Sequence, residues 1–472
     1  MDIQDKWNAD ELARVTEGRW RTAPLSTEWR CGGICAEPSQ FRKTQMLLAR
    51  AGAKGLRPHA LERLAPKAAG IIAQAGEAPA QCAGPILEVK DLREAVAALA
   101  VDSRSRFKGQ VIAVTGSVGK TSTVAMAAHA LGGVGPSDSS RTSANSPYGI
   151  GWNFASMNLN ASFWVQEVAA TRMETSSALI QPHVAVVTAI APAHVAHFGS
   201  TAEIARQKAL VYTSMAPGGI TVINADMPEF PIFESAAQAA QLRVVRFGST
   251  KDCDARLIDM EGSTVSVDIF GEVHAFELGA AGRHMAMNAT AVLAATAAMG
   301  LPVSAAARQL ASFEPLAGRG RRVHAVHANR HIEVWDESYN ANPASMRAAL
   351  QVLVDAGPHE VPYASRLLVL GDMLELGEDA QAMHLALEAD VRALRPDRVL
   401  LCGRLMHALS KRLHGDIKGQ WFEDVGALLP ALDAWVKDGD VALVKSSNGI
   451  GLTQAVSRLS GIGAQVAGRQ FS

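Results

Sequence analysis

The sequence predicts an α/β protein built from parallel sheets, and three observations predict it. Short apolar runs recur at 111–115, 163–168, 184–188 and 220–224, and again at 331–336, 366–370, 398–402 and 440–445. Helical stretches separate most of them, the alternation that parallel β-α-β units require. The chain has 472 residues, more than one hydrophobic core organises, so the runs are expected to divide among domains.

Composition narrows the function. Hydrophobic residues make up 48% and charged residues 19%, the balance of a globular protein. The formal net charge of −1 supplies no field for recruiting nucleic acid or an anionic membrane, so a phosphorylated substrate has to be held by local groups. Cysteines at 31, 35, 82, 253 and 402 are odd in number and dispersed, which fits reduced thiols better than a disulfide framework. Cys31 and Cys35 are close, but no second Cys or His pair lies near them, which argues against zinc. The start, MDIQDKWNADELARV, carries no apolar signal segment, and no uncharged run is long enough to span a bilayer. A soluble, cytoplasmic protein without membrane insertion is expected.

Along the chain, the first hundred residues are mixed. They hold a Gly/Cys/Pro stretch (CGGICAEPSQ), a basic, Ala-rich stretch from Arg42 to Arg63 read as helical, and ILEVKDLREAVAALAVDSRSR, a short strand followed by an amphipathic helix. The run VIAVTG then leads into a helical pattern from Lys120 to Leu131, closed by Gly132 and Gly133. RVVRF at 243–247 is a further buried strand, 255–278 reads as a small antiparallel meander, and 284–300 as an Ala-rich helix. The stretch 301–322 passes into a second α/β unit. The expected domains are 1–108, 109–312 and 313–472.

The sharpest chemical signal is VIAVTGSVGKTST at 111–123. A strand runs into Gly116-Ser117-Val118-Gly119, and a helix begins at Lys120. Glycines let main-chain N–H groups turn inward around an anion, and the helix start adds partial positive charge. Lys120 supplies a full charge for the β- and γ-phosphates, and Thr121 or Ser122 can place a hydroxyl on Mg²⁺. Val114 stands where the strict motif has its first Gly, so this is a variant loop. A Gly-rich turn with a solvated lysine is the bland alternative, and the flanking strand and helix weigh against it. The loop alone does not name a reaction, since ATPases, kinases, GTPases and ligases all use one.

TGSVGKTST is also the form this loop takes in the Mur ligases, and further segments resemble that family in order. WVQEVAA resembles the segment with a metal-binding glutamate, here Glu167. VTAIAPAHVAHFGSTAEIARQKALVY resembles the stretch with a metal-ligand histidine, here His194, and a carbamylated lysine, here Lys208. GRHMAMNATAVLAA resembles the helix with an adenine-contacting asparagine, here Asn288, and FEPLAGRGRR the entry to the C-terminal domain, with Arg319 near the nucleotide. DESYNANPASMRAAL and LVLGDMLELG are most similar to the branch that adds D-alanyl-D-alanine to a UDP-muramoyl tripeptide, and they carry Asp336 and Asn340 as nucleotide-side residues.

The resemblance implies a three-domain architecture with a central P-loop ATPase domain and a C-terminal Rossmann-like domain. It implies an ATP-dependent ligase that activates a carboxylate as an acyl phosphate, captures it with an amine, and releases ADP and phosphate. Gly116, Ser117, Gly119, Lys120, Thr121 and Ser122 would hold the nucleotide. Thr121, Glu167, His194 and an N6-carboxylated Lys208 would hold Mg²⁺ or Mn²⁺, with Lys120, Lys208, His194 and Glu167 central to catalysis. A lysine ammonium cannot bind a metal, whereas its carbamate is an anionic oxygen donor, and forming it requires a neutral amine. The partners implied are small molecules: a carboxylate donor, among them a UDP-linked peptide, and an amino acid or dipeptide amine. A monomer is expected.

Each residue also has a plain reading: a surface carboxylate for Glu167, loop histidines for His194 and His197, a solvated lysine for Lys208, a turn for Asn340 and Asn342 beside Pro343. Behind a phosphate loop, the ordered set favours function, while His384 and Lys445 stand evenly between the two. The sequence departs from the branch at both ends. PLSTEWRCGGICAEPSQ keeps Ser26, Thr27 and Arg30 of the segment that helps hold the UDP sugar, and VKSSNGIGLTQAV carries Ser446, Ser447, Asn448 and Gln454 where the family has Gly-Ser-Arg and a later glutamate. A ligase for a different carboxylate in a specialised pathway is therefore the second reading, and a non-catalytic ATP-binding partner subunit the third.

Overall fold

In the computed structural model, which describes residues 5–49, 55–78, 84–142, 144–191, 199–356 and 365–461, the run at 111–115 becomes an interior strand of the largest sheet. That sheet comprises β6 (Gln110–Thr115), β7 (Ser137–Ser139), β8 (Phe163–Glu167), β9 (Val184–Val187), β10 (Ile220–Asn224), β11 (Arg243–Gly248), β12 (Ala255–Glu261), β13 (Thr264–Ile269) and β14 (Glu272–Glu277). Its order is β14-β13-β12-β11-β10-β9-β6-β8-β7. Strands β7 to β12 pair in parallel, and β12-β13-β14 form the antiparallel meander the sequence predicts. Successive residues of β6 feed opposite cores: Ile112 and Val114 pack on one face, Val111 and Ala113 on the other. A strand buried on both faces has to be apolar throughout, which is why this one reads as an unbroken run.

β6 lies between β8 and β9, so the chain leaves it toward one side of the sheet and returns on the other. Such a switch point opens a crevice at the carboxyl ends of the strands, where ligands of parallel sheets bind.

A second sheet carries β15 (Arg321–His327), β16 (Arg330–Glu337), β17 (Arg366–Gly371), β18 (Arg398–Cys402), β19 (Gly419–Phe422) and β20 (Val441–Lys445) in the order β15-β16-β20-β17-β18-β19, all parallel except the β15-β16 hairpin. A third, N-terminal sheet has the order β1-β5-β4-β3-β2, from β1 (Arg19–Thr22), β2 (Gly33–Cys35), β3 (Gln45–Leu48), β4 (Gly70–Gln74) and β5 (Ile86–Val89). It docks on the helix Pro147–Ala155 of the central unit, where Trp152 Nε1 donates to the Ile34 carbonyl at 2.9 Å.

The N-terminal sheet corrects one expectation. The stretch from Arg42 to Arg63 is not one helix. Gln45–Leu48 is a strand with all four residues buried, and a helix, Pro58–Leu64, begins only at Pro58. The apolar run QMLL sits between two neighbouring strands, and burial on that scale overrides the helix preference of the flanking Ala and Arg. Cys31, Cys35, Cys253 and Cys402 are free thiols. Among the described residues no helix is long and apolar enough to cross a membrane.

The C-terminal sheet encloses an ion pair between Arg398 and Asp440 at 2.5 Å, whose side chains are 3% and 0% exposed. Arg398 also donates to the Ser365 hydroxyl and the Trp435 carbonyl. Replacing Asp440 by Ala leaves the guanidinium charge buried without its counterion. The loss is expected to be about 3–5 kcal/mol. A denaturant midpoint for Asp440→Ala equal to that of the parent chain would contradict this.

Candidate active site

The site begins where β6 ends. Gly116 has φ +146° and Gly119 has φ +82°. Neither tolerates a side chain: a Cβ on Gly116 would stand 2.0 Å from Thr188 Oγ1, and one on Gly119 would stand 3.0 Å from Asn288 Oδ1. Gly119 caps the helix Lys120–Leu131, whose first N–H groups have no carbonyl one turn earlier to bond. Those donors and the helix dipole make the hollow of the loop an anion site. Lys120 Nζ meanwhile reaches back to the Ser117 carbonyl at 3.2 Å.

One carboxylate faces this hollow. Glu167 closes β8 and is 2% exposed. Its Oε2 accepts from Thr121 Oγ1 at 2.5 Å and its Oε1 from Asn145 Nδ2 at 2.7 Å. Its own N–H donates to Ser140 Oγ at 3.1 Å. Lys208, near the end of the helix Thr201–Ala209, is 4% exposed. Burial, and then the Lys120 charge, hold its pKa well below the ordinary lysine value, while Glu167 pulls it back up. Burial also lowers Lys120, with Glu167 opposing and Arg319 adding to the shift. The sequence signal that placed these groups together is therefore matched by their electrostatic coupling.

The C-terminal sheet closes the site from the other side. Arg319 follows Gly318, and its guanidinium lies over the Tyr339 ring at 4.4 Å. Asp336, at the end of β16, holds this turn: its Oδ2 accepts from the Gly318 N–H at 2.7 Å, and its Oδ1 from Ser338 Oγ at 2.6 Å. Its carbonyl accepts from the Gly320 N–H at 2.9 Å. Lys445, at the end of β20, donates to Glu337 Oε2 at 3.2 Å and to the Asn340 carbonyl at 3.1 Å.

A cavity of about 430 Å³ runs between the carboxyl ends of the two sheets. Of the residues singled out in the sequence, Ser117, Gly119, Lys120, Thr121, Ser122, Glu167, Asn288, Arg319 and Asn340 line it together. Gly116, Lys208 and Asp336 stand behind this lining. His194 and His197 lie outside the described residues.

Lys445 is in the lining and His384 is not. His384 is fully buried, and its Nε2 accepts the Met373 N–H at 2.9 Å, which leaves the ring proton on Nδ1, facing the Ala380 carbonyl at 2.6 Å. Burial lowers its pKa, in keeping with a ring whose Nε2 accepts a hydrogen bond.

The sequence reading missed several lining residues. Asn145 stands before Ser146-Pro147, the cap and first residue of the helix Pro147–Ala155, a start signal that marked the loop but not its function. Thr188 directly follows the buried run of β9, and a polar residue at the carboxyl end of a parallel strand was a usable pointer. His284 reaches the cavity from the helix Arg283–Ala298. It is accessible to water there, yet enclosed enough that desolvation lowers its pKa.

A phosphate cradle at a sheet switch point, facing a second α/β unit across a cleft, defines an enzyme that uses a nucleoside triphosphate on a substrate held between domains. The sequence profile of the Mur ligase middle domain matches residues 114–296, and that of the Mur ligase glutamate ligase domain matches 321–448. The UDP-N-acetylmuramoyl-tripeptide–D-alanyl-D-alanine ligase of Escherichia coli K12 is 30% identical over 392 residues, 79% of this chain and 82% of its own length. The fold is shared with MurF from Acinetobacter baumannii (TM-score 0.78, 24% identity, covering 97% of this chain and 99% of that one). It is shared also with MurF from Thermotoga maritima, solved in complex with ADP (TM-score 0.69, 22% identity, 90% and 96% covered). The chain belongs to the Mur ligase family. It is an ATP-dependent ligase that forms an amide bond, with the three-domain architecture of that family.

Asp336 gives a test of the cleft. Asp336→Ala releases the turn that carries Arg319, and nucleotide affinity by titration calorimetry is expected to fall about tenfold, ~1.4 kcal/mol. Unchanged affinity would show that Arg319 keeps its place without this anchor.

Proposed function

We propose that this ligase joins UDP-N-acetylmuramoyl tripeptide to D-alanyl-D-alanine, the substrates named for its E. coli relative. The observation that carries the nucleotide half of this reading is the contact of Thr121 and Asn145 with the two oxygens of Glu167, beside Lys120. The γ-phosphoryl group of ATP passes to a carboxylate oxygen of the donor. The amine then attacks the acyl carbon, the C–O bond to phosphate breaks, and an amide, ADP and phosphate result. ATP and a carboxylate repel each other as anions, so cationic groups have to stand between them. Lys120 meets the β- and γ-phosphates and Arg319 approaches from the opposite wall. Asn288, against Gly119, serves the base side, and Asn340 the C-terminal wall. Enclosure between the two sheets excludes water from the acyl phosphate.

The paired oxygens of Thr121 and Glu167 suit a hard divalent cation, Mg²⁺ or Mn²⁺, which would neutralise phosphate charge when bound. His194 and an N6-carboxylated Lys208 are the proposed further ligands. Burial, which lowers the Lys208 pKa, favours the neutral amine that carboxylation requires. The functional domains are taken as 1–108, 109–312 and 313–472, in a monomer working in the cytoplasm, where ATP is available and its thiols stay reduced.

A second reading, a ligase for another carboxylate, is favoured by one observation. Arg30, in the stretch nearest to the family's UDP-contacting segment, donates to the carbonyls of its own neighbours Thr27 and Trp29 at 3.1 and 2.8 Å. Phosphate release from ATP distinguishes the two. A requirement for both UDP-muramoyl tripeptide and D-alanyl-D-alanine, with the matching UDP-pentapeptide by mass spectrometry, supports the first. No stimulation by the pair, in protein that binds ATP, supports the second. ATP hydrolysis with no amide product from any acid and amine would indicate a non-catalytic partner subunit.

Two substitutions test the residues. Lys120→Ala is expected to abolish ATP-dependent amide formation, and near-normal turnover would remove it from the mechanism. Lys208→Ala is expected to be inactive and partly restored by short carboxylates such as formate or acetate, which supply the missing anionic oxygen. Full activity without them would rule out the carbamate.

A further inference from the structure

Thr188 follows β9 and is 3% exposed, yet it belongs to the cavity wall. Its N–H donates to the Thr115 carbonyl at 2.9 Å, continuing the β6-β9 ladder by one step. Its hydroxyl lies 2.6 Å from the Val118 carbonyl and 3.1 Å from that of Thr115. The next residue, Ala189, accepts the Ser117 N–H through its carbonyl at 2.7 Å. The missing side chain of Gly116 is what leaves room for the hydroxyl.

This arrangement decides which main-chain groups face the hollow. A trans peptide is planar, with its C=O and N–H pointing in opposite directions. The chain has no cis peptide among its described residues. A Val118 carbonyl drawn toward Thr188 therefore turns the Gly119 N–H away from β9. The Ser117 N–H, bonded to Ala189, is already spent. Among the donors left to the loop for an anion are the Gly119 N–H, the first N–H groups of the helix, and Lys120. A carbonyl swung into the hollow would instead present a negative dipole to the phosphates.

We propose that Thr188 is a positioning residue for nucleotide phosphates: its hydroxyl anchors the Val118 carbonyl and so aims the Gly119 N–H at the anion. The proposal rests on the phosphate-loop reading of 116–122. Thr188→Val removes the hydroxyl at nearly constant volume, and Thr188→Ser keeps it. ADP and adenosine, each titrated calorimetrically, separate aiming from packing, because adenosine has no phosphate. Thr188→Val is expected to bind ADP at least tenfold more weakly with adenosine affinity unchanged, and Thr188→Ser to match the parent. Thr188→Ala replaces Thr188→Val if the latter does not fold, with the same expectation. Parental ADP affinity in the hydroxyl-free variant, equal losses for ADP and adenosine, or a Thr188→Ser loss as large as that of Thr188→Val would each overturn the proposal. A parent chain that binds no ADP would overturn the phosphate-loop reading itself.

Discussion

The turn Gly116–Gly119 is the constraint on which the rest of the site depends. Positive φ at both ends lets the main chain fold back over itself within four residues, and the two absent side chains admit Thr188 on one side and Asn288 on the other. The turn in turn fixes where the helix Lys120–Leu131 begins. Starting it one residue later would carry Thr121 away from Glu167, and with it the 2.5 Å contact that links the phosphate loop to β8. Backbone geometry at two glycines thus sets the distance between an anion cradle and a carboxylate that is fixed to a different strand.

The charges around that turn are arranged for a polyanion. Burial lowers the pKa of both Lys120 and Lys208; Arg319 adds to the shift of Lys120 and Lys120 to that of Lys208, while Glu167 opposes both. Burial of like charges is unfavourable, and the depressed pKa values of Lys120 and Lys208 express that cost. The Lys120 charge becomes favourable when an anionic triphosphate enters. Local cations such as Lys120 and Arg319 are how a chain of net charge −1 can bind highly charged ligands.

Most of the two parallel sheets was legible because strands buried on both faces have to be continuous apolar runs, as in VIAVT and VLLC. The strands that escaped are of another kind. β7 (Ser137–Ser139) and β19 (Gly419–Phe422) are short edge strands, and β15 (Arg321–His327), also at an edge, mixes basic and apolar residues and has none fully buried. An edge strand needs only one neighbour and half the apolar surface, so its sequence resembles a loop. The N-terminal sheet was obscured for a similar reason: its strands are three to five residues long, and one was absorbed into the Ala-rich stretch around it. In the site, Gly116, Lys120 and Thr121 were legible because the loop compresses them into one segment. Asn145, Thr188 and Lys445 come from the ends of separate elements, and only the topology brings them together.

The same topology keeps the phosphate loop apart from the two segments where the sequence departs from the family. The cradle belongs to the carboxyl ends of β6, β8 and β9, each buried in the largest core, whereas Arg30 and Asn448 sit in exposed segments. Changes there leave the central packing untouched. The C-terminal wall is intermediate. Lys445 and Glu337 pair at the facing ends of adjacent strands, and losing Glu337 would leave the buried Lys445 charge without its partner. That pair ties the floor of the cleft to the core of the C-terminal sheet, while beyond it Ser446 and Ser447 are buried, Asn448 and Gly449 are exposed, and Leu452 returns to the core before the exposed Gln454.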